Sequence, residues 1–169
     1  MQLKRRDTRG FTLIEVLIVV LIIAILSGVA LNLLNSGGYR QKARDSQRIA
    51  DLRKLQTALE LYFQDNRIYP SSASWSNASA IAGLSPNYAS SLPTDPSGGS
   101  VPGSPNPCSD YTGTTYYYGY RTTNPATRYV LTARTETNSS TASACNSLSN
   151  WATITSCGAV TSCYGVQNP

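Results

Sequence analysis

The sequence predicts an α+β protein: one long N-terminal helix, half apolar and half amphipathic, packed on a small antiparallel β-sheet head. Three observations lead there. Residues 11–34 form an almost unbroken apolar run, residues 40–66 carry apolar side chains at helical spacing, and residues 114–136 hold two runs of strand-forming residues around a turn. The chain has 169 residues, room for one modest head beside a long helix.

The net charge of +5 belongs mainly to the start. Lys4, Arg5, Arg6 and Arg9 stand against Asp7 alone, whereas residues 67–169 set Arg67, Arg121, Arg128 and Arg134 against Asp95, Asp110 and Glu136. The head therefore lacks the basic stripe that nucleic acid requires. The tyrosine cluster Tyr116–Tyr118 and Tyr120 reads as packing for a helix and a sheet, not as a stacking platform for bases. The chain contains no histidine, the commonest general base and metal ligand. With neither a Gly-rich phosphate loop nor a clustered carboxylate pair, no enzyme site, cofactor or metal is expected. Asp95 and Asp110 are too few for a calcium loop.

Residues 1–10 are a short, polar, basic leader. Phe11–Leu34 follows, 24 residues whose single charge is Glu15. As a helix this run is about 36 Å long, enough for the ~30 Å of a hydrocarbon layer. The basic residues before it keep the N-terminus cytoplasmic and put the head outside. A cleaved secretory signal is the competing reading. Its apolar core is about 7–15 residues long and ends at a small-x-small site. Here the run is longer and helical pattern resumes beyond it, so the segment is expected to be retained.

Residues 35–69 form the amphipathic half. Asn35-Ser36-Gly37-Gly38 interrupts the pattern, and two glycines cost a helix roughly 1 kcal/mol each; a bend or loosened turn is expected there. Ile49, Leu52, Leu55, Leu59, Tyr62 and Phe63 then recur at spacings of three and four, while Arg44, Arg48, Asp51, Lys54 and Glu60 fall off that stripe. Pro70 ends the helix by disfavouring it at Tyr69.

Residues 70–169 are the head. It begins as loop with a short helix near Asn77–Leu84, and five prolines between Pro93 and Pro107 exclude regular structure there. Thr114–Arg121 and Tyr129–Glu136 are the expected strands, with Thr122–Arg128 as the hairpin loop. All four cysteines, Cys108, Cys145, Cys157 and Cys163, lie beyond the apolar run, which predicts disulfides formed in an oxidising compartment. A hairpin returns its ends to one side, so Cys108–Cys145 with Cys157–Cys163 is the expected pairing; Cys108–Cys163 with Cys145–Cys157 is the alternative. Asn77-Ala78-Ser79 and Asn138-Ser139-Ser140 fit the glycosylation triplet, a pattern common by chance in Ser-rich chains.

The stretch Arg9-Gly10-Phe11-Thr12-Leu13-Ile14-Glu15-Val16 is chemically odd. A carboxylate four residues into a membrane segment costs a few kcal/mol unless it is paired or near the interface. Snorkelling, or a place at the positive end of a helix, makes Glu15 tolerable but leaves Gly10-Phe11 unexplained. With the apolar run behind it, this stretch resembles the start of type IV pilins and pseudopilins. Arg48–Pro70 is similar to the amphipathic half of the pilin helix. Beyond it, Leu92–Pro96 and the two strand runs match only in outline.

The resemblance implies cleavage between Gly10 and Phe11 by a prepilin peptidase, N-methylation of Phe11, and a role for Glu15 in pairing with an N-terminal amine during assembly. It implies copies of the chain and other pilins as partners, with an inner-membrane assembly platform and membrane lipid. The expected place is the cytoplasmic membrane, then an extracellular or periplasmic filament. The leading function is a structural pilin of a type IV pilus-like filament. The alternatives are a pseudopilin of a type II secretion system and a DNA-uptake pilin.

Overall fold

The computed structural model describes residues 10–34, 37–98, 106–108, 115–137, 148 and 162–169. The chain divides into two compact units, Met1–Tyr39 and Arg40–Pro169. A bend is expected near Gly37-Gly38; the two residues before them, Asn35 and Ser36, lie outside the described residues. Gly37 and Gly38 belong to the first turn of the second helix.

The first unit is built on helix α1, Leu13–Leu34, 22 residues, about 33 Å long. Its only polar side chains are Glu15, Ser27 and Asn32. Many of its residues are Val or Ile, which are indifferent helix formers in water. In hydrocarbon the helix is nonetheless enforced, because every backbone N–H and C=O must find its partner within the segment. The 19 residues Leu13–Leu31 have a mean hydropathy of 3.0 and none is buried within the protein. A helix apolar on every side and uncovered by any of the described residues suits lipid or other copies of itself.

The second unit, the head, is organised by α2, Gly37–Asn66, which enters it at Arg40. Its apolar stripe sits where the spacing places it. Leu52, Leu55, Ala58 and Leu59 are buried, with Ile49, Tyr62 and Phe63 packed at the margin. The helix ends at Arg67, whose φ of 60° is left-handed and whose N–H reaches the Phe63 carbonyl at 2.8 Å.

Against that stripe lies one antiparallel sheet in the order β1 (Ser76–Asn77), β2 (Tyr118–Thr122), β3 (Tyr129–Arg134) and β4 (Cys163–Gln167). Side chains alternate between its faces. Tyr118 and Tyr120, then Tyr129, Leu131 and Ala133, then Tyr164 and Val166 face α2 and form the core with it. Three rings continue the core towards the end of α2: Tyr69 stacks on Phe63 at 4.7 Å and meets Tyr129 edge-on at 4.6 Å. The opposite face carries Val130 and Cys163, covered by Cys108 and flanked by Trp75 and Leu148. Pro107 lies directly over Gly119: a Cβ there would sit 2.7 Å from the Pro107 ring and 2.7 Å from Thr132 Oγ1.

Two expectations need correcting, and one further strand was not foreseen. The segment expected to be a short helix near Asn77–Leu84 is instead the strand β1 and a single 3-10 turn, Ala78–Ala80, opened by Asn77, whose side chain accepts the Ser79 N–H at 3.0 Å. The central strands are shorter than the propensity runs, because pairing begins at Tyr118 and stops at Arg134. The tail contributes a strand, β4, registered Val130↔Gln167 to Arg134↔Cys163; a five-residue segment with a central glycine in a Ser/Thr-rich stretch carries too weak a local signal to announce it.

Candidate processing and assembly site

Gly10 and Phe11 precede α1 and are exposed, Phe11 at 85%. Thr12 caps the helix. The Glu15 N–H donates to the Thr12 carbonyl at 3.1 Å and to Thr12 Oγ1 at 3.3 Å, while the Thr12 N–H donates to Glu15 Oε2 at 3.5 Å. This reciprocal Thr-x-x-Glu arrangement is a capping box, which satisfies two of the N–H groups that a helix start leaves orphaned. Thr12 Oγ1 also lies 3.5 Å from Glu15 Oε2. The carboxylate therefore rests at the positive end of the helix, against the N–H of Thr12, the residue after Phe11. Both contacts to the carboxylate lie at the long limit for hydrogen bonding. The sequence contains this box, although the charge of Glu15 draws attention to itself before its spacing from Thr12 does. Residues 1–9 lie outside the described residues.

The head holds a polar centre that periodicity misassigns. Asp45, Arg48 and Asp51 fall off the apolar stripe, yet they are buried, Arg48 completely. Arg48 Nε and Nη2 donate to both oxygens of Asp95 at 2.7 and 2.9 Å, Nη1 meets Asp45 at 2.7 Å and Glu136 at 2.8 Å, and Nη2 also reaches Ser97 Oγ at 2.6 Å. The Tyr116 ring covers the guanidinium at 4.4 Å. Asp45 accepts the Glu136 and Thr137 N–H groups, each at 2.9 Å, and Arg44 pairs with Glu136.

Hydrogen bonding to Arg44 outweighs burial and holds the Glu136 carboxyl down at about 2. Further along α2, Tyr118 OH donates to Asp51 at 3.0 Å, and Tyr129 OH to Glu60 at 2.8 Å. Burial, reinforced by those carboxylates, pushes both phenols well above their ordinary range and keeps them donors. Among the described residues no group of three or more His, Cys, Asp or Glu is disposed to hold a metal. The carboxylates around Arg48 are already committed to arginines.

The disulfide joins Cys108 to Cys163. The expected pairing of Cys108 with Cys145 is thereby overturned. The hairpin does return its ends together, but β4 lies next to β3 and brings Cys163 under the 106–108 segment on the face away from α2. Cys145 and Cys157 lie outside the described residues, as do Asp110 and Asn138.

An apolar helix opened by a Thr-Glu box beside Gly-Phe, and a head of antiparallel sheet on a second helix, define the type IV pilin-like class of protein. Residues 5–31 match the family described as Prokaryotic N-terminal methylation motif. The type II secretion system core protein G of Vibrio cholerae is 36% identical over 104 residues, 56% of this chain and 69% of that protein. The core protein G of Klebsiella michiganensis is 32% identical over 106 residues, 57% and 73% respectively, and that of Escherichia coli 34% over 99 residues, 53% and 67%. The chain belongs to this family, the type II secretion system core protein G pseudopilins. Sequence reasoning carried that branch as the alternative to a surface pilus subunit, and both lie within the broader pilin-like family. No solved structure matches the chain.

Proposed function

We propose that this chain is made as a precursor, cleaved between Gly10 and Phe11 by a prepilin peptidase, N-methylated on Phe11, and assembled with copies of itself and other pilins into a periplasmic secretion filament. The observation that carries the proposal is the capping box at the head of an uncovered apolar helix. Cleavage at Gly10 would free an amine one residue before Thr12, beside a carboxylate held only by long hydrogen bonds. In hydrocarbon an ammonium and a carboxylate each carry a large desolvation cost, and pairing them offsets much of it.

Glu15 would therefore exchange the Thr12 N–H for the amine of a neighbouring subunit as helices leave lipid and pack together. The apolar run would stay in the membrane until extracted, with the N-terminus cytoplasmic and the head outside. The role is structural; the work of extraction comes from an inner-membrane assembly platform, not from chemistry in this chain.

The test is the intact mass of the mature protein together with the Gly10→Val variant. The mature chain should lack residues 1–10 and carry one extra methyl group, and Gly10→Val should remain uncut in the membrane. Filaments of normal yield and length from an uncut Gly10→Val chain would refute the proposal.

A further inference from the structure

Helix α2 opens with Tyr39, Arg40 and Lys42, a short way along the chain from Leu34, the last residue of α1. All three side chains are exposed, Tyr39 at 61%. With α1 spanning the membrane and the head outside, as proposed above, we infer that Arg40 and Lys42 form a collar that binds the phosphates of anionic phospholipids on the outer face of the membrane. The collar holds the unassembled subunit at a fixed depth until it is drawn into a filament.

Free charge is the first argument. Among the described residues no carboxylate pairs with Arg40 or Lys42. The head has none to spare for a neighbouring copy either. Asp45, Asp95 and Glu136 hold Arg44 and Arg48, while Asp51, Glu60 and Asp65 accept tyrosine hydroxyls. Every carboxylate among the described residues of the head is thus engaged within the subunit. A second copy would bring cations to these cations, so the complementary surface is an anionic one of another kind.

Position is the second argument, and it selects lipid. The chain can put at most about 10 Å between Leu34 and Gly37, and Arg40 and Lys42 lie only about 5 and 8 Å further along α2. The headgroup layer is about 5–8 Å thick on each side of the hydrocarbon. With α1 in that hydrocarbon, both side chains reach the layer, because their apolar stems let the charged ends bend back to it. At about 100° per residue the two cations diverge around the helix and Tyr39 lies between them. Tyrosine is itself favoured at this depth, with its ring among the headgroups. The leader, with Lys4, Arg5, Arg6 and Arg9, remains the more basic flank, so the orientation is kept. Phosphate oxygens accept N–H bonds from both groups, and an anionic surface attracts each charge.

The test uses the full chain reconstituted in vesicles of phosphatidylcholine, alone or mixed with phosphatidylglycerol, at low and high salt. Acetic anhydride, which crosses bilayers, modifies lysine amines, and peptide mass spectrometry compares Lys42 with Lys54, about 18 Å further along α2. Flotation after an alkaline wash checks the span separately: a chain that leaves both kinds of vesicle refutes the membrane placement of α1 and the collar with it. In chains that float, phosphatidylglycerol should slow modification of Lys42 about threefold or more, the hold of a surface at about −30 mV on one charge. High salt should cancel the difference, and Lys54 should not respond. Arg40→Gln should shrink the effect at Lys42, whereas Arg53→Gln, an exposed arginine outside the collar, should leave it unchanged. Neither replaced side chain is buried, so both variants should fold normally. An unchanged rate at Lys42 in chains that float, equal slowing of Lys42 and Lys54, or the same effect at Lys42 in Arg40→Gln as in the parent overturns the proposal.

Discussion

Glu15 and Glu136 are both carboxylates facing cations or N–H groups, and their surroundings set opposite tasks. Glu15 is loosely held, at 3.5 Å from the Thr12 N–H, as the proposed exchange for an N-terminal amine requires. Glu15→Ala removes a charge from the apolar run and should leave insertion and cleavage intact while sharply lowering filament yield, read by shearing or electron microscopy; unchanged yield would mean that capping is its whole role. Glu136 is committed to Arg44 and Arg48. Its folded pKa of about 2 lies below the ordinary carboxylate value, so the stability it contributes is full above pH ~4.5 and is lost as pH falls towards 2. Denaturant titrations of the full chain between pH 6 and pH 2 should show that loss, and Glu136→Gln should flatten this part of the profile.

Among the elements, α1 and the buried stripe of α2 were legible because one physical pattern dominates each: continuous apolarity in α1, and spacing of three and four in Leu52, Leu55 and Leu59. The β2–β3 hairpin was legible from Tyr, Thr and Val content. The short β1 and β4 were not, since neither has local propensity to spare and both are held by partners distant in sequence. Arg48 was misread for a related reason. Helical periodicity places it off the stripe, but the chain returns at Asp95 and Glu136 to cover it. The sheet was also expected to be covered by the helix on one side, whereas the 106–108 segment crosses its other face. Gly119 permits that crossing. Gly119→Ala should drive a methyl into Pro107 and Thr132 and destabilise the head by about 1–3 kcal/mol, measured by urea unfolding; a neutral result would show that the 106–108 segment yields without cost.

For the whole molecule, the two units answer to different solvents. The apolar helix needs lipid or its own kind, while the head must hold together in water around a small core. The Cys108–Cys163 bond spans 55 residues, and in the chain-entropy model such a closure contributes about 4 kcal/mol. Replacing both cysteines by alanine should lower the unfolding midpoint of the head markedly, and peptide mapping without reduction should recover Cys108 joined to Cys163. A Cys108–Cys145 peptide in the native protein would contradict the arrangement.

The position of β4 also imposes a timetable. The strand that pairs with β3 and carries Cys163 comes after every other element of the head. In a chain that folds in order from its N-terminal side, α2 and the hairpin form first, with β3 presenting a raw edge. The head is complete only when Cys163–Gln167 pairs with β3 and Cys163 meets Cys108, so a chain cut short of β4 keeps an open sheet edge and an unbonded Cys108 thiol. A check on the finished fold can thus be exercised at β4, the last strand among the described residues.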